Sequence, residues 1–91
     1  MIRLPSKATL RRYNLSMEGY QAILDVQAGV CGICLGSRPY ALHVDHDHVT
    51  GRVRGLLCKR CNRHLLPSSL DGRLLAGAIA YLAHPPAAQV V

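Results

Sequence analysis

The strongest constraint in this sequence is a pair of C-x-x-C motifs, Cys31-Gly-Ile-Cys34 and Cys58-Lys-Arg-Cys61, which together use every cysteine in the chain. Two thiolates from one tight turn reach adjacent corners of a tetrahedral zinc site, so two such turns fill all four. A chain of 91 residues buries too little apolar surface to rest on its core alone, and a staple is expected. There is no Phe or Trp to build a large aromatic core instead. The competing readings are two disulfides or a redox pair. Disulfides suit an oxidising compartment, and a thioredoxin-like motif needs a βαβ setting that this sequence lacks. Arg3, Lys7, Arg11 and Arg12 interrupt any apolar leader near the start, and no stretch is long enough to span a membrane. The expectation is therefore a reducing, cytoplasmic setting with structural zinc on Cys31, Cys34, Cys58 and Cys61. A closed thiolate site of that kind leaves no open position for catalysis.

The local patterns predict an α+β chain. Residues 1–15 read as a basic N-terminal arm with few periodic apolar positions, residues 16–83 as the folded domain, and residues 84–91, with two prolines, as a tail. Ser16 is a good N-cap and Glu18 suits a first helical turn, while Met17, Tyr20, Ile23 and Leu24 recur at helical spacing until Gly29 ends the run. Between Leu42 and Leu57 the period changes to two, with a turn at Val49-Thr50-Gly51, which predicts two short antiparallel strands. A short helix is expected from about Lys59 to Leu66, stopped by Pro67. Leu70, Leu74, Leu75, Ala78, Ile79 and Leu82 mark a final amphipathic helix.

The stretch between the two cysteine motifs carries His43-Val44-Asp45-His46-Asp47-His48, three imidazoles and two carboxylates in six residues. Hydrolysis of a phosphodiester needs a deprotonated water, a counter-charge for the phosphate oxygens and stabilisation of the leaving oxygen. A neutral imidazole can take the proton. A carboxylate and an amide oxygen are hard ligands suited to Mg2+ or Mn2+, and Asp45 with Asn62 would supply both. Asn62 directly follows Cys61, so a zinc knuckle would fix where it points. In an ideal strand Asp45 and His46 face opposite ways, and one shared site therefore requires the strand to end or bend between them.

In order and spacing, C-x-x-C, then H-x-D-H-D-H, then G-x-V-R-G-L-L-C-x-x-C-N, the chain resembles the phage recombination endonuclease VII family of HNH nucleases. The likeness runs from about Arg12 to Leu82. It implies a small ββα-metal (His-Me finger, HNH) core with a four-cysteine structural zinc site and flanking helices. It also implies a catalytic divalent metal on Asp45 and Asn62, His46 as the group that activates water, and His48 as a supporting site residue. Where some members of that family carry an acidic residue one turn beyond the asparagine, this chain reads Arg63-His64-Leu65. The resemblance further implies DNA as partner and a phage-infected or prophage-carrying bacterial host as setting; better-known members dimerise through a longer C-terminal helical region, and for this chain a monomer or weak dimer is expected.

Eleven Lys and Arg against five Asp and Glu give a formal charge of +6, a footprint for a polyanion such as nucleic acid. Four thiolates around one zinc ion would remove two of those charges and leave the bias positive. Arg52 and Arg54, two apart on the second strand, are candidate phosphate clamps, and Lys59, Arg60 and Arg63 extend the basic track. His43 and Asp47 are expected to support the site or its loop, whereas Arg38, after the first knuckle, has no assignable role. The alternative to a nuclease is a non-catalytic zinc module that binds nucleic acid or protein, with a degenerate His/Asp cluster.

Overall fold

In the computed structural model, residues 3–65 and 72–89 are described. The elements run in the order α1 (Lys7–Arg11), α2 (Met17–Val26), β1 (His43–His46), β2 (Val53–Leu57), a π-type helical turn (Cys61–Leu65), α3 (Gly72–Ala83) and a closing 3-10 turn (Pro86–Gln89). This is a small α+β fold in which a β-hairpin is followed by a helical segment, with helices before and after it.

α2 forms as its sequence dictates. The Ser16 side chain accepts a hydrogen bond from Gly19 N–H, Glu18 sits in the first turn, and Tyr20 and Leu24 are buried on one face. The helix ends where Ala28 and Gly29 turn to positive φ and the Gly29 N–H closes back on the Leu24 carbonyl at 2.9 Å. The N-terminal segment differs from the expected arm. Ser6 caps α1 by accepting from Thr9 N–H, and Leu10 is buried in the core at 2 % exposure. One apolar anchor in a basic stretch gives no periodic signal, but a single buried leucine is worth about 2 kcal/mol, enough to hold a short helix in place.

β1 and β2 pair antiparallel, with His43 opposite Leu57, Val44 opposite Leu56, Asp45 opposite Gly55 and His46 opposite Val53. The register slips between Asp45 and His46, so Arg54 is an extra residue on β2. The slip falls at the step where one shared Asp45/His46 site would need a bend, but the extra residue is on β2 and the two side chains pack against different neighbours. Asp47 builds the connection: its carboxylate accepts from Val49 and Thr50 N–H at 2.8 and 2.9 Å, and Gly51 takes the positive φ of 75° that closes the turn. Those two amides, Thr50 first, hold the Asp47 carboxyl below its usual range.

The core is one cluster of Leu10, Tyr20, Leu24, Leu42, Val44, Leu56 and Leu57 with the cysteines Cys31, Cys58 and Cys61. Tyr20 is fully buried and its hydroxyl donates to the Leu42 carbonyl at 2.7 Å, so the largest core side chain also fixes the approach to β1. Gln27, just past α2, acts as a bracket. Its Nε2 donates to the Val30 and Leu56 carbonyls at 2.8 and 2.9 Å, and its Oε1 accepts from Leu56 N–H at 2.9 Å. It thereby joins the end of α2 to the outer edge of β2.

α3 forms over Gly72–Ala83, matching the expected final helix, but buries none of its residues; Ile79 and Leu82 stay largely exposed. The expected helix stop at Leu66-Pro67 and the start at Leu70 lie outside the described residues.

Candidate metal and hydrolytic site

The four cysteines converge. Their sulfur atoms all lie within 4.8 Å of one another, and none is in a disulfide. A tetrahedron with zinc-sulfur bonds of about 2.3 Å has edges of about 3.8 Å, and Cys34 Sγ and Cys58 Sγ are 3.8 Å apart. Cys31, Cys58 and Cys61 are buried and Cys34 is exposed. The first knuckle is held by Cys31 N–H to the Gly36 carbonyl at 3.1 Å and by Gly32 N–H to the Leu56 carbonyl at 3.0 Å, so it is stitched to β2. Leu35, not a glycine, takes the positive φ there.

Thiol electrostatics fit the same ion. Burial alone would push Cys31 up, but the amides of Cys58, Ile33 and Cys34 and the Cys34 thiol bring it down to about 6. The Cys58 thiol is lowered as well, by the Cys61 amide first. Cys61 is pushed up to about 12, by burial first and then by the three neighbouring sulfurs. The opposed shifts reflect thiols crowded around one point, where a dication would favour the thiolate form. Arg38 covers the exposed side: its Nη2 donates to Cys34 Sγ at 3.5 Å and approaches Cys58 Sγ at 3.9 Å. Gly36 makes the room, since a Cβ there would collide with Arg38 Nη1. Nothing in the sequence marks Arg38 for this role.

The second knuckle passes directly into the helical segment. Asn62 N–H closes on the Cys58 carbonyl at 2.9 Å, so the second cysteine knuckle sets the placement of Asn62, which is half-buried. Asn62 lines a cleft of about 300 Å³ together with Pro5, Thr9, Tyr13, His43 and Val44. His46, half-buried at the end of β1, packs against two rings, Tyr13 at 5.2 Å and His48 at 4.6 Å between centroids. Tyr13 thus borders both His46 and the Asn62 cleft. It comes from the segment expected to be an arm, and no motif marks it. Its one hint in the sequence is its place shortly after Ser6, a residue suited to cap a helix.

His43 packs edge-on against Tyr40 at 6.1 Å, and Lys59 rests its ammonium over the Tyr40 ring at 4.9 Å. Burial first, then the positive charges of Arg63 and Lys59, lower the His43 pKa. Arg52, Arg60 and Arg63 are exposed.

Asp45 is placed differently. It is 7 % exposed and faces the cleft on the Gln27 side of the hairpin, where Arg54 holds both of its oxygens. Asp45 and Asn62, the expected cation pair, line different clefts. Among the described residues, the four cysteines are the one group of three or more His, Cys, Asp or Glu side chains clustered for a metal. The zinc donors therefore fit their ion, whereas the Asp45/Asn62 pair does not fit a divalent ion while Arg54 holds Asp45.

A hairpin and helical segment drawn together by four clustered cysteines, with a histidine-rich first strand, define as a class a small α+β module with a candidate zinc site. The chain belongs to the recombination endonuclease VII family, whose sequence pattern matches residues 6–84. It is 46 % identical over 85 residues to the gene 59 protein of Mycobacterium phage D29 and 42 % identical to that of Mycobacterium phage L5. Each alignment covers 90 % of this chain and 52 % of the relative, so the chain spans about half the length of these relatives. No solved structure matches it. No helix among the described residues is long and apolar enough to cross a membrane.

Proposed function

We propose that the chain is a metal-dependent DNA endonuclease that nicks or cleaves duplex or branched DNA by phosphodiester hydrolysis, acting in a phage-infected or prophage-carrying bacterial cell as a monomer or weak dimer. The observation that carries this reading is His46, beside the register slip and packed against the Tyr13 and His48 rings, in a chain of the recombination endonuclease VII family. His46 takes the proton from the attacking water, and its two ring neighbours limit how the imidazole can turn. His48, exposed beside it, supports the site on the side open to substrate.

Asp45 and Asn62 are the side chains that would hold Mg2+ or Mn2+, which would offset charge on the phosphate oxygens and on the leaving oxygen. As placed, they require Arg54 to let go of Asp45 first. Arg52, Arg60 and Arg63 are exposed for phosphate contacts, as is Lys59, whose ammonium lies over the Tyr40 ring. Arg54, also expected as a clamp, is engaged with Asp45.

That Arg54 pairing favours a second reading, a zinc module that binds nucleic acid without cutting it. Nicking of supercoiled plasmid by the zinc-loaded protein with Mg2+ separates the two. The nuclease reading expects relaxation by the wild type and little by His46→Ala. Equal nicking by both removes this site from the chemistry, and DNA binding with no cleavage by the wild type supports the module.

A further inference from the structure

Among the described residues no hydrogen bond fixes the His46 imidazole, and the rings of Tyr13 and His48 pack against it. A general base must aim its accepting nitrogen at the water, and a third group bonded to the base commonly does the aiming. Here the aiming falls to packing. The two rings differ in how firmly they are held. His48 is exposed in the turn after β1, so little sets its own orientation. Tyr13 is half-buried and packs against the core cluster.

The backbone around Tyr13 is tied to that core. Leu10, buried at 2 % exposure, offers its carbonyl to Tyr13 N–H at 3.0 Å and to Leu15 N–H at 3.1 Å. Between them Asn14 takes a φ of 52°, a left-handed conformation that asparagine accepts more readily than most residues, and its N–H closes on the Arg11 carbonyl at 3.2 Å. At the start of α1, Ser6 caps the helix by accepting from Thr9 N–H at 3.1 Å. A five-residue helix with a cap, one core anchor and a closed exit thus carries a ring to 5.2 Å from the imidazole, tilted by 50°. Ring pairs at that spacing prefer particular tilts, so a fixed Tyr13 restricts how the imidazole can rotate.

We propose that Tyr13 is a positioning residue for hydrolysis, its ring holding the His46 imidazole in the orientation that takes the proton from water. This rests on the reading of His46 as the group that activates water. Tyr13 acts through His46 and makes no bond in the reaction; the ring carries the effect and the phenolic hydroxyl does not. The segment before α2 is then part of the hydrolytic site and not only a basic arm.

The test is single-turnover cleavage of a labelled duplex by the zinc-loaded full chain in Mg2+, with protein concentration varied so that maximal rate and half-saturation are read separately. Tyr13→Leu removes the ring and should lower the maximal rate by about tenfold or more, the scale of a misaimed catalytic group, with half-saturation little changed. Tyr13→Phe keeps the ring and should restore most of the rate. In a His46→Ala background, Tyr13→Leu should slow cleavage no further, because a residue that acts through His46 has nothing left to aim. Four results overturn the proposal and leave His46 as the base: a Tyr13→Leu as fast as wild type, a loss confined to half-saturation, an equal loss in both backgrounds, or a Tyr13→Phe as slow as Tyr13→Leu. A His46→Ala that cuts like wild type, or a wild type that does not cut, overturns the reading of His46 and the proposal with it. Zinc stoichiometry and circular dichroism report whether Tyr13→Leu folds. Should it not, nuclear Overhauser contacts between the Tyr13 and His46 ring protons of the wild type decide: the proposal expects them, and their absence in folded, zinc-loaded protein overturns it.

Discussion

Gln27 is the side chain whose loss should cost the most for the least change in composition. It makes three hydrogen bonds, one to the Val30 carbonyl and two to the Leu56 backbone, all between 2.8 and 2.9 Å. Leu56 is fully buried, so its N–H has no water to fall back on. Three such bonds contribute about 1 kcal/mol each, and a stranded buried amide costs about 1–3 kcal/mol. Gln27→Leu should therefore lower stability by about 3 kcal/mol, a large part of the roughly 5–15 kcal/mol that holds a typical domain. Gln27→Glu should be at least as harmful, because its carboxylate would face two carbonyl oxygens in place of the donor they need. The assay is urea unfolding followed by circular dichroism at a fixed free zinc concentration, since zinc binding itself adds to apparent stability. Gly32 donates to the same Leu56 carbonyl, so both variants should also hold zinc less tightly. A loss below about 1 kcal/mol for Gln27→Leu would refute the reasoning that this bracket joins α2 to β2.

Three further outcomes follow from the same structure. Tyr20→Phe leaves the Leu42 carbonyl without its 2.7 Å donor and should cost about 1–2 kcal/mol in the same unfolding assay; no change would mean that water replaces the hydroxyl. Arg38→Ala, which strips the contacts to Cys34 and Cys58 Sγ, should speed zinc transfer to a colorimetric chelator several-fold, with unchanged kinetics counting against a shielding role. Removal of zinc by a strong chelator should collapse the hairpin and its helical segment together, seen as loss of amide hydrogen-exchange protection from Val44 to Asn62, because both knuckles are tied to β2 and to the start of that segment. Retained protection there would show that the core stands without the metal.

Local signals are legible wherever a residue's role depends on its near neighbours. The Ser16 cap, the Tyr20 and Leu24 face of α2, the two strands and the paired knuckles follow from spacing alone, and the structure has each of them. Strand alternation places Asp45 and His46 on opposite faces, and the register slip between them leaves Asp45 with Arg54 and His46 with Tyr13 and His48. Contacts between distant residues are not legible. Gln27 meets Leu56 across 29 positions, and a lone glutamine after a helix has no pattern that announces such a bond. Leu10 anchors α1 without any periodicity, so a basic stretch reads as an arm. Arg54 reads as a clamp because it shares a strand face with Arg52, and only the register slip shows that it turns onto Asp45. Arg38 and Tyr13 are likewise defined by what folding brings to them, two sulfurs and an imidazole.

The proposed chemistry rests on His46, and single-turnover cleavage of an end-labelled DNA duplex by zinc-loaded protein in Mg2+ tests it most directly. Wild type should cut, and His46→Ala should be slower by about 100-fold or more, the usual contribution of a general base, while binding the duplex with similar affinity. A His46→Ala rate within a few-fold of wild type would contradict the assignment of water activation to this imidazole.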